Sequence, residues 1–353
     1  MEMELDTGID MAQIGDDRTI SMDDLRRDKF GRIVSDSLYY IKSDPTISLE
    51  RQVEETVKQL LALVPSTQTF DDYFWRPTQH SELALNYVLE RMAKKGLPGY
   101  DTGFRILNDM LGGFESQNIY VLNARPGTGK TTLLLQLAWH LARQTHVVFF
   151  SPEARARMLS RRLLSALSHV PGQAIRRGDI SEKQLAQVRA AAQLMKTRPL
   201  FIYDMPEVNI DEMNRVIDRV TRETGHPPGA IFVDYLQQMQ GEDSFQDLTN
   251  NMKSVETLTV KRDVATIMAS QVGRASGDGS QQSAGKGTGK IEELATAVLG
   301  FILPENDKKA PDPDDKHRRI LVCSKNREEG IHFKLGLRFN PTTGWLEEEG
   351  AVD

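Results

Sequence analysis

The run Ile119-Tyr120-Val121-Leu122-Asn123-Ala124-Arg125-Pro126-Gly127-Thr128-Gly129-Lys130-Thr131-Thr132 restricts the folds open to this chain more than any other stretch of it. An apolar strand passes through a glycine-bearing turn into the helical run Leu133 to Arg143. Such a turn lets successive backbone N–H groups face inward on an anion, and the helix N-terminus adds its positive end. With Lys130 placed to reach the outer phosphates and Thr131 to ligate Mg²⁺, residues Ala124 to Thr132 read as a polyphosphate cradle. Ala124 stands where the pattern has its first glycine, a departure that a small side chain tolerates.

A cradle of this kind sits in an α/β domain, and the remaining sequence supplies one. Short β-branched or aromatic runs predict strands at 119–123, 146–151, 199–204, 230–234, 265–270, 297–303, 319–324 and 331–339. Helices are expected between them at about 130–143, 154–169, 181–196, 210–224 and 246–262. Ser181 with Gln184, and Asn209 with Glu212, have the spacing of reciprocal N-terminal caps. The alternation predicts a mainly parallel central sheet, with late strands able to pair as a hairpin.

Three strand ends carry polar groups suited to nucleotide chemistry. Ala230-Ile-Phe-Val-Asp234 is a buried strand with an acid at the ligand-binding edge, where it would support the metal. The run His146-Val-Val-Phe-Phe-Ser151-Pro152-Glu153 ends in a carboxylate that could activate water; an acid favouring the next helix dipole is the plainer alternative. Thr266 to Gln271 places an amide at a strand end, as a γ-phosphate sensor or as an ordinary loop amide. Lys325 and Arg327 close another strand; in a monomer they would form a solvated turn, and in a ring they could enter a neighbour's site as an arginine finger.

Composition limits the rest. Hydrophobic residues at 39% and charged residues at 27% of 353 allow a sizeable core. The 44 basic against 50 acidic residues leave a net charge of −6, so any nucleic-acid site must be local. The lone cysteine, Cys323, excludes an internal disulfide and a Cys-rich zinc module and fits a reducing compartment. With an acidic amino terminus and no apolar run of membrane-spanning length, a cytoplasmic chain with no membrane association is expected.

Outside the α/β pattern, residues 1–25 hold eight acids and one base and are expected to form a flexible acidic arm. Residues 26–81 are expected to form a small helical region, with apolar positions at helical spacing from Ser48 to Val64. The aromatic cluster Phe70 to Pro77 would pack these helices or meet a partner. Residues 82–99 read as a linker helix and hinge. Residues 272–290, with six glycines and the bases Arg274, Lys286 and Lys290, predict a mobile loop. Residues 304–319 predict a second, charged connection.

Taken together, these motifs resemble the DnaB-type replicative helicases, RecA-like ring motors. The resemblance spans about residues 97–349 and includes Thr102-Gly103-Phe104, Leu111-Gly112-Gly113, the cradle, Phe149 to Glu153, Asp234 to Gln237, Ser270-Gln271, Lys325 to Arg327 and Thr343 to Leu346. It implies a RecA-like P-loop NTPase core over residues 100–353 that uses ATP and Mg²⁺. In the family's scheme Lys130 and Thr131 bind phosphates and metal, Glu153 activates water and Asp234 supports the metal. Gln271 links nucleotide to DNA, and Lys325 and Arg327 act on the next subunit's ATP. The family forms hexameric rings that pull single-stranded DNA through the centre, so Arg274, Lys286 and Lys290 become candidate DNA contacts and the 82–95 helix a candidate subunit-docking element. A helicase loader or primase is a possible partner. The shorter amino-terminal region departs from bacterial members. A recombination or branch-migration ATPase, and a nucleotide-gated DNA-binding scaffold without unwinding, would share the cradle.

Overall fold

The structure is a computed structural model that describes residues 30–35, 53, 56, 74, 76–206, 208–234, 245–271, 293–304, 315–328 and 330–352. The acidic arm, nearly all of the 48–64 run, most of the aromatic cluster and the loop at 272–290 lie outside the described residues. The chain divides into two units, Met1–Met92 and Ala93–Asp353. Helix α1 (Pro77–Lys94), all but its last two residues in the first unit, exposes Leu83, Leu85, Tyr87, Val88, Leu89 and Met92.

The second unit begins with a short helix, α2 (Arg105–Leu111), and then follows the alternation read from the sequence. Its elements are β1 (Ile119–Ala124), α3 (Lys130–Leu141), β2 (Val147–Phe150), α4 (Ala156–Ser168), α5 (Gly172–Arg177), α6 (Glu182–Lys196) and β3 (Leu200–Tyr203). There follow α7 (Ile210–Thr224), β4 (Ala230–Val233), α8 (Phe245–Lys261), β5 (Ala265–Gln271), β6 (Ala297–Ile302), β7 (Arg318–Asn326), β8 (Phe333–Phe339) and β9 (Leu346–Ala351). The nine strands form one sheet in the order β3-β2-β4-β5-β1-β6-β7-β8-β9. Pairings from β3 through β6 are parallel, and those from β6 through β9 are antiparallel.

The central strands are apolar on both faces because both faces are covered. Tyr120, Leu122, Phe149 and Phe232 pack on one side with Leu133, Leu134, Leu137 and Leu141 of α3. Val121, Val148, Ile231 and Met268 pack on the other with Met213 and Ile217 of α7 and Met252 and Val255 of α8. Phe149 and Phe232, both without exposed surface, stack with ring centroids 6.0 Å apart.

Local capping rules hold in part. Ser181 and Gln184 form the full reciprocal cap of α6. At α7 only half of it forms: Asn209 accepts from the Glu212 N–H, while the Glu212 carboxylate accepts from the Tyr203 hydroxyl and from Arg215 instead. Two helices without a cap of their own receive one from far away. Glu348 on β9 accepts the N–H groups of Arg105 and Ile106 at 2.7 and 3.0 Å, and Asp204 accepts the N–H of Ala156 at 2.8 Å.

Asp101 ties the entry segment to the far end of α3. It accepts from Gly103 N–H at 2.8 Å and Asn108 Nδ2 at 2.6 Å, and meets His140 Nε2 at 3.1 Å. Burial pushes its carboxyl up, but these hydrogen bonds outweigh that and hold it below the ordinary carboxylate value. A group depressed on folding contributes stability above its unfolded pKa and loses it as pH falls through the folded value. The stability difference between wild type and Asp101→Asn should therefore be full at neutral pH and shrink below about pH 4 in urea unfolding curves. Phe232→Ala should cost about 3–5 kcal/mol in the same assay, since it empties a closed site between two packed layers.

Candidate functional site

The cradle joins the carboxyl end of β1 to the start of α3. Gly127 and Gly129 hold φ of 81° and 103°, values that side-chain-bearing residues rarely adopt. The apex is closed by Thr128, whose N–H and hydroxyl both donate to the Arg125 carbonyl, at 3.3 and 2.9 Å. Helix α3 begins at Lys130 with Gly129 as its cap residue and no side-chain cap, which leaves its first N–H groups for another acceptor. Ala124 is buried and lies in register with Gln271 on one side and Phe301 on the other. Space beside β1 is therefore limited, and a small residue suits it.

The sheet order gathers the other strand ends. Strands β2, β4, β5 and β1 are consecutive neighbours and run parallel, so the residues following them emerge along one edge. Lys130 Nζ lies 3.2 Å from Asp234 Oδ1 and 3.8 Å from Glu153 Oε2. The Asp234 side chain has no exposed surface and that of Glu153 is half exposed. Glu153 is presented by a turn in which the Ser151 hydroxyl donates to the Ala154 carbonyl and accepts the Ala154 N–H. Three of the sequence-predicted residues thus meet at one point. Gln271 ends β5 beside the start of the cradle.

Neither Asp234 oxygen receives a hydrogen bond. A buried carboxylate without donors is costly, and a cation is what such oxygens accept. Among the described residues no group of three or more His, Cys, Asp or Glu could hold a metal. A Mg²⁺ ion keeps waters and phosphate oxygens in its shell and needs only one or two protein groups, so Asp234 and Thr131 suit it.

Arg162 was not singled out by the sequence, although it stands nine positions beyond Glu153 on α4. Burial lowers its proton affinity, while the charge of Asp234, and more weakly that of Glu153, favours the cation. With Arg161, Arg176, Thr132, Gln136 and Trp345 it lines a cavity of about 380 Å³ alongside the first turns of α3.

Lys325 and Arg327 are not brought to this point. Because β7 runs antiparallel to β6, its start faces the cradle edge and its end lies at the opposite edge, where Lys325 pairs with Val298 and Asn326 with Ala297. Lys325 Nζ and the Arg327 guanidinium both donate to the Glu293 carbonyl. Arg274, Lys286 and Lys290 lie outside the described residues.

A family model described as the DnaB-like helicase C-terminal domain matches residues 99–347. The chain belongs to this family. The DnaB-like domain is 31% identical over 191 residues to the replicative DNA helicase DnaB of Nostoc sp., covering 53% of this chain and 22% of that protein. It is 30% identical over 218 residues to DnaB of Treponema pallidum, covering 60% and 49%. The match therefore spans half of these relatives or less. A solved DnaB-like replicative helicase, described together with its interactions with primase, superposes with a TM-score of 0.69 at 18% identity, covering 91% of this chain and 75% of that one. That likeness establishes the fold of the DnaB-like domain as a RecA-like α/β core. No helix among the described residues is long and apolar enough to cross a membrane.

If the Asp234 carboxylate is kept for a ligand rather than for the fold, the double variant Lys130→Met/Asp234→Asn should leave stability unchanged or raise it, because Asp234→Asn alone would strand the buried Lys130 ammonium. Replacing both members of a buried ion pair lifts a desolvation penalty of the order of 1–4 kcal/mol. Thermal melts without nucleotide would detect it, and a clearly lower melting temperature would mark the carboxylate as structural.

Proposed function

We propose that this chain is an ATP-dependent replicative DNA helicase that translocates on single-stranded DNA as a homo-oligomeric, hexameric ring and unwinds duplex. The observation that carries this reading is the convergence of Lys130, Asp234 and Glu153 on a glycine-bearing cradle in a DnaB-like domain. The backbone of Ala124 to Thr132 holds the phosphates of ATP, and Lys130 moves from its carboxylate partners to the outer phosphates. Thr131 and Asp234 would hold Mg²⁺, which would supply charge neutralisation for the bound phosphates. Glu153, half exposed beside Lys130, orients water for attack and accepts its proton. Gln271 at the end of β5 connects the site to the 272–290 segment, where Arg274, Lys286 and Lys290 contact DNA phosphates.

The opposite-edge position of Lys325 and Arg327 favours action in trans. Within one chain they lie across the sheet from the cradle, whereas a neighbouring subunit can offer its cradle to them. The exposed apolar side chains of α1 favour the same assembly, because burying them against a second copy removes a large apolar surface from water. Primase or a helicase loader would be further partners.

Unwinding of a forked duplex with ATP and Mg²⁺ tests the proposal. The wild type should unwind and Lys130→Ala should not. Arg327→Ala should bind nucleotide normally and turn it over at least about 10³-fold more slowly. DNA-stimulated hydrolysis without unwinding, even on an open fork, would favour the recombination reading. Slow hydrolysis indifferent to DNA would favour a nucleotide-gated scaffold.

A further inference from the structure

The carbonyl oxygen of a trans peptide and the N–H that follows it lie in one plane and point to opposite sides. In the cradle this couples the Thr128 carbonyl to the N–H of Gly129, a residue whose φ of 103° leaves the peptide plane open to more than one setting. A side chain 191 residues away holds this peptide at its carbonyl. Arg319, at the cradle-facing start of β7, donates from Nε to the Thr128 carbonyl at 2.9 Å. Its Nη1 donates to the carbonyls of Lys316 and Arg318 at 2.9 and 2.7 Å. A guanidinium is planar with donors in fixed relation, so contacts through Nη1 determine where Nε points. The strand that carries it is fixed by pairing on both sides, Ile320 with Ile302 of β6 and Arg319 with Leu337 of β8.

Thr128 is restrained from its other side as well, through the two hydrogen bonds to the Arg125 carbonyl, and is nearly buried. With its carbonyl drawn toward β7, the Gly129 N–H is turned away from β7, into the turn. A charged donor on the carbonyl also polarises the amide and strengthens its N–H as a donor. We propose that Arg319 is a positioning residue for nucleotide binding, which orients the Thr128–Gly129 peptide so that the Gly129 N–H meets the polyphosphate. This rests on reading the cradle as the nucleotide site. In this role Arg319 acts through the peptide it holds.

The test is titration of the full chain with mant-ADP and Mg²⁺, comparing wild type, Lys130→Ala, Arg319→Ala and Arg319→Lys, with melting temperatures taken without nucleotide. Arg319→Ala should raise Kd about tenfold when titrated well below its melting temperature, which itself should fall a few degrees because the hydrogen bonds to the Thr128, Lys316 and Arg318 carbonyls are lost in the nucleotide-free protein. Arg319→Lys, which keeps one charged donor but not the planar pair, should fall between the two. In ATP hydrolysis the loss should appear in KM and leave kcat within about twofold, the pattern of a binding interaction made equally in ground and transition states. Wild-type affinity in Arg319→Ala, alongside lost affinity in Lys130→Ala, overturns the inference and leaves the nucleotide reading standing. Affinity that falls only in step with melting temperature also overturns it. If Arg319→Ala does not fold, Arg319→Lys decides: weakened binding supports the role and wild-type binding refutes it. A wild type that fails to bind mant-ADP removes the nucleotide reading, and this inference with it.

Discussion

A carboxylate with no exposed surface and no hydrogen-bond donor, faced by one ammonium at 3.2 Å, is the interaction around which this domain is arranged. Such a pair persists only where the surrounding structure imposes it, because two charges taken from water recover their solvation poorly through a single contact. Here the imposition comes from β4, whose four residues are all buried, and which delivers Asp234 at its end. Strand β5 separates β4 from β1, so the lysine must reach across a neighbouring strand from the first residue of α3. The helix start, the turn before it and the sheet order are all needed for that one contact. An arrangement this unfavourable in isolation is suited to a ligand that replaces the missing partners.

The change from parallel to antiparallel pairing at β6 and β7 has an equal influence on function. A fully parallel sheet would bring every strand end to the cradle. Reversing β7 leaves Arg319 at the cradle edge and carries Lys325 and Arg327 to the other. Strand β7 therefore carries Arg319 near its start against the cradle turn and Lys325 near its end, followed by Arg327, at the opposite edge, the placement on which the proposed action in trans rests. Both of the latter rest against the carbonyl of Glu293 in the single chain, which satisfies them without drawing on the site.

Much of this was legible in the residues. Strand positions followed the apolar runs to within one or two residues for β1 through β6, because strands covered on both faces leave continuous hydrophobic segments. The cradle, Asp234 and Glu153 were legible because a glycine turn and strand-end acids have few other uses in that order. Three elements were not read: α2 and α5, each too short to show helical periodicity, and β9, whose sequence Leu-Glu-Glu-Glu-Gly-Ala is polar apart from its first and last residues. The half-formed cap at Asn209 was overread, since Tyr203 and Arg215 compete for Glu212 and only one of them is near in sequence.

What the sequence determined by itself was local: a strand, turn and helix that cradle an anion, the glycines that allow the turn, and the buried runs that end in acids. These depend on residues within a few positions of each other, so their physics is written in order along the chain. Tertiary structure alone decided which strand ends become neighbours. It brought Glu348 and Asp204 to cap distant helices and set Arg319 against the Thr128 carbonyl. Each of these is a polar group satisfied across a long sequence separation, and no local pattern signals such a pairing because its partner is chosen by sheet order and strand direction.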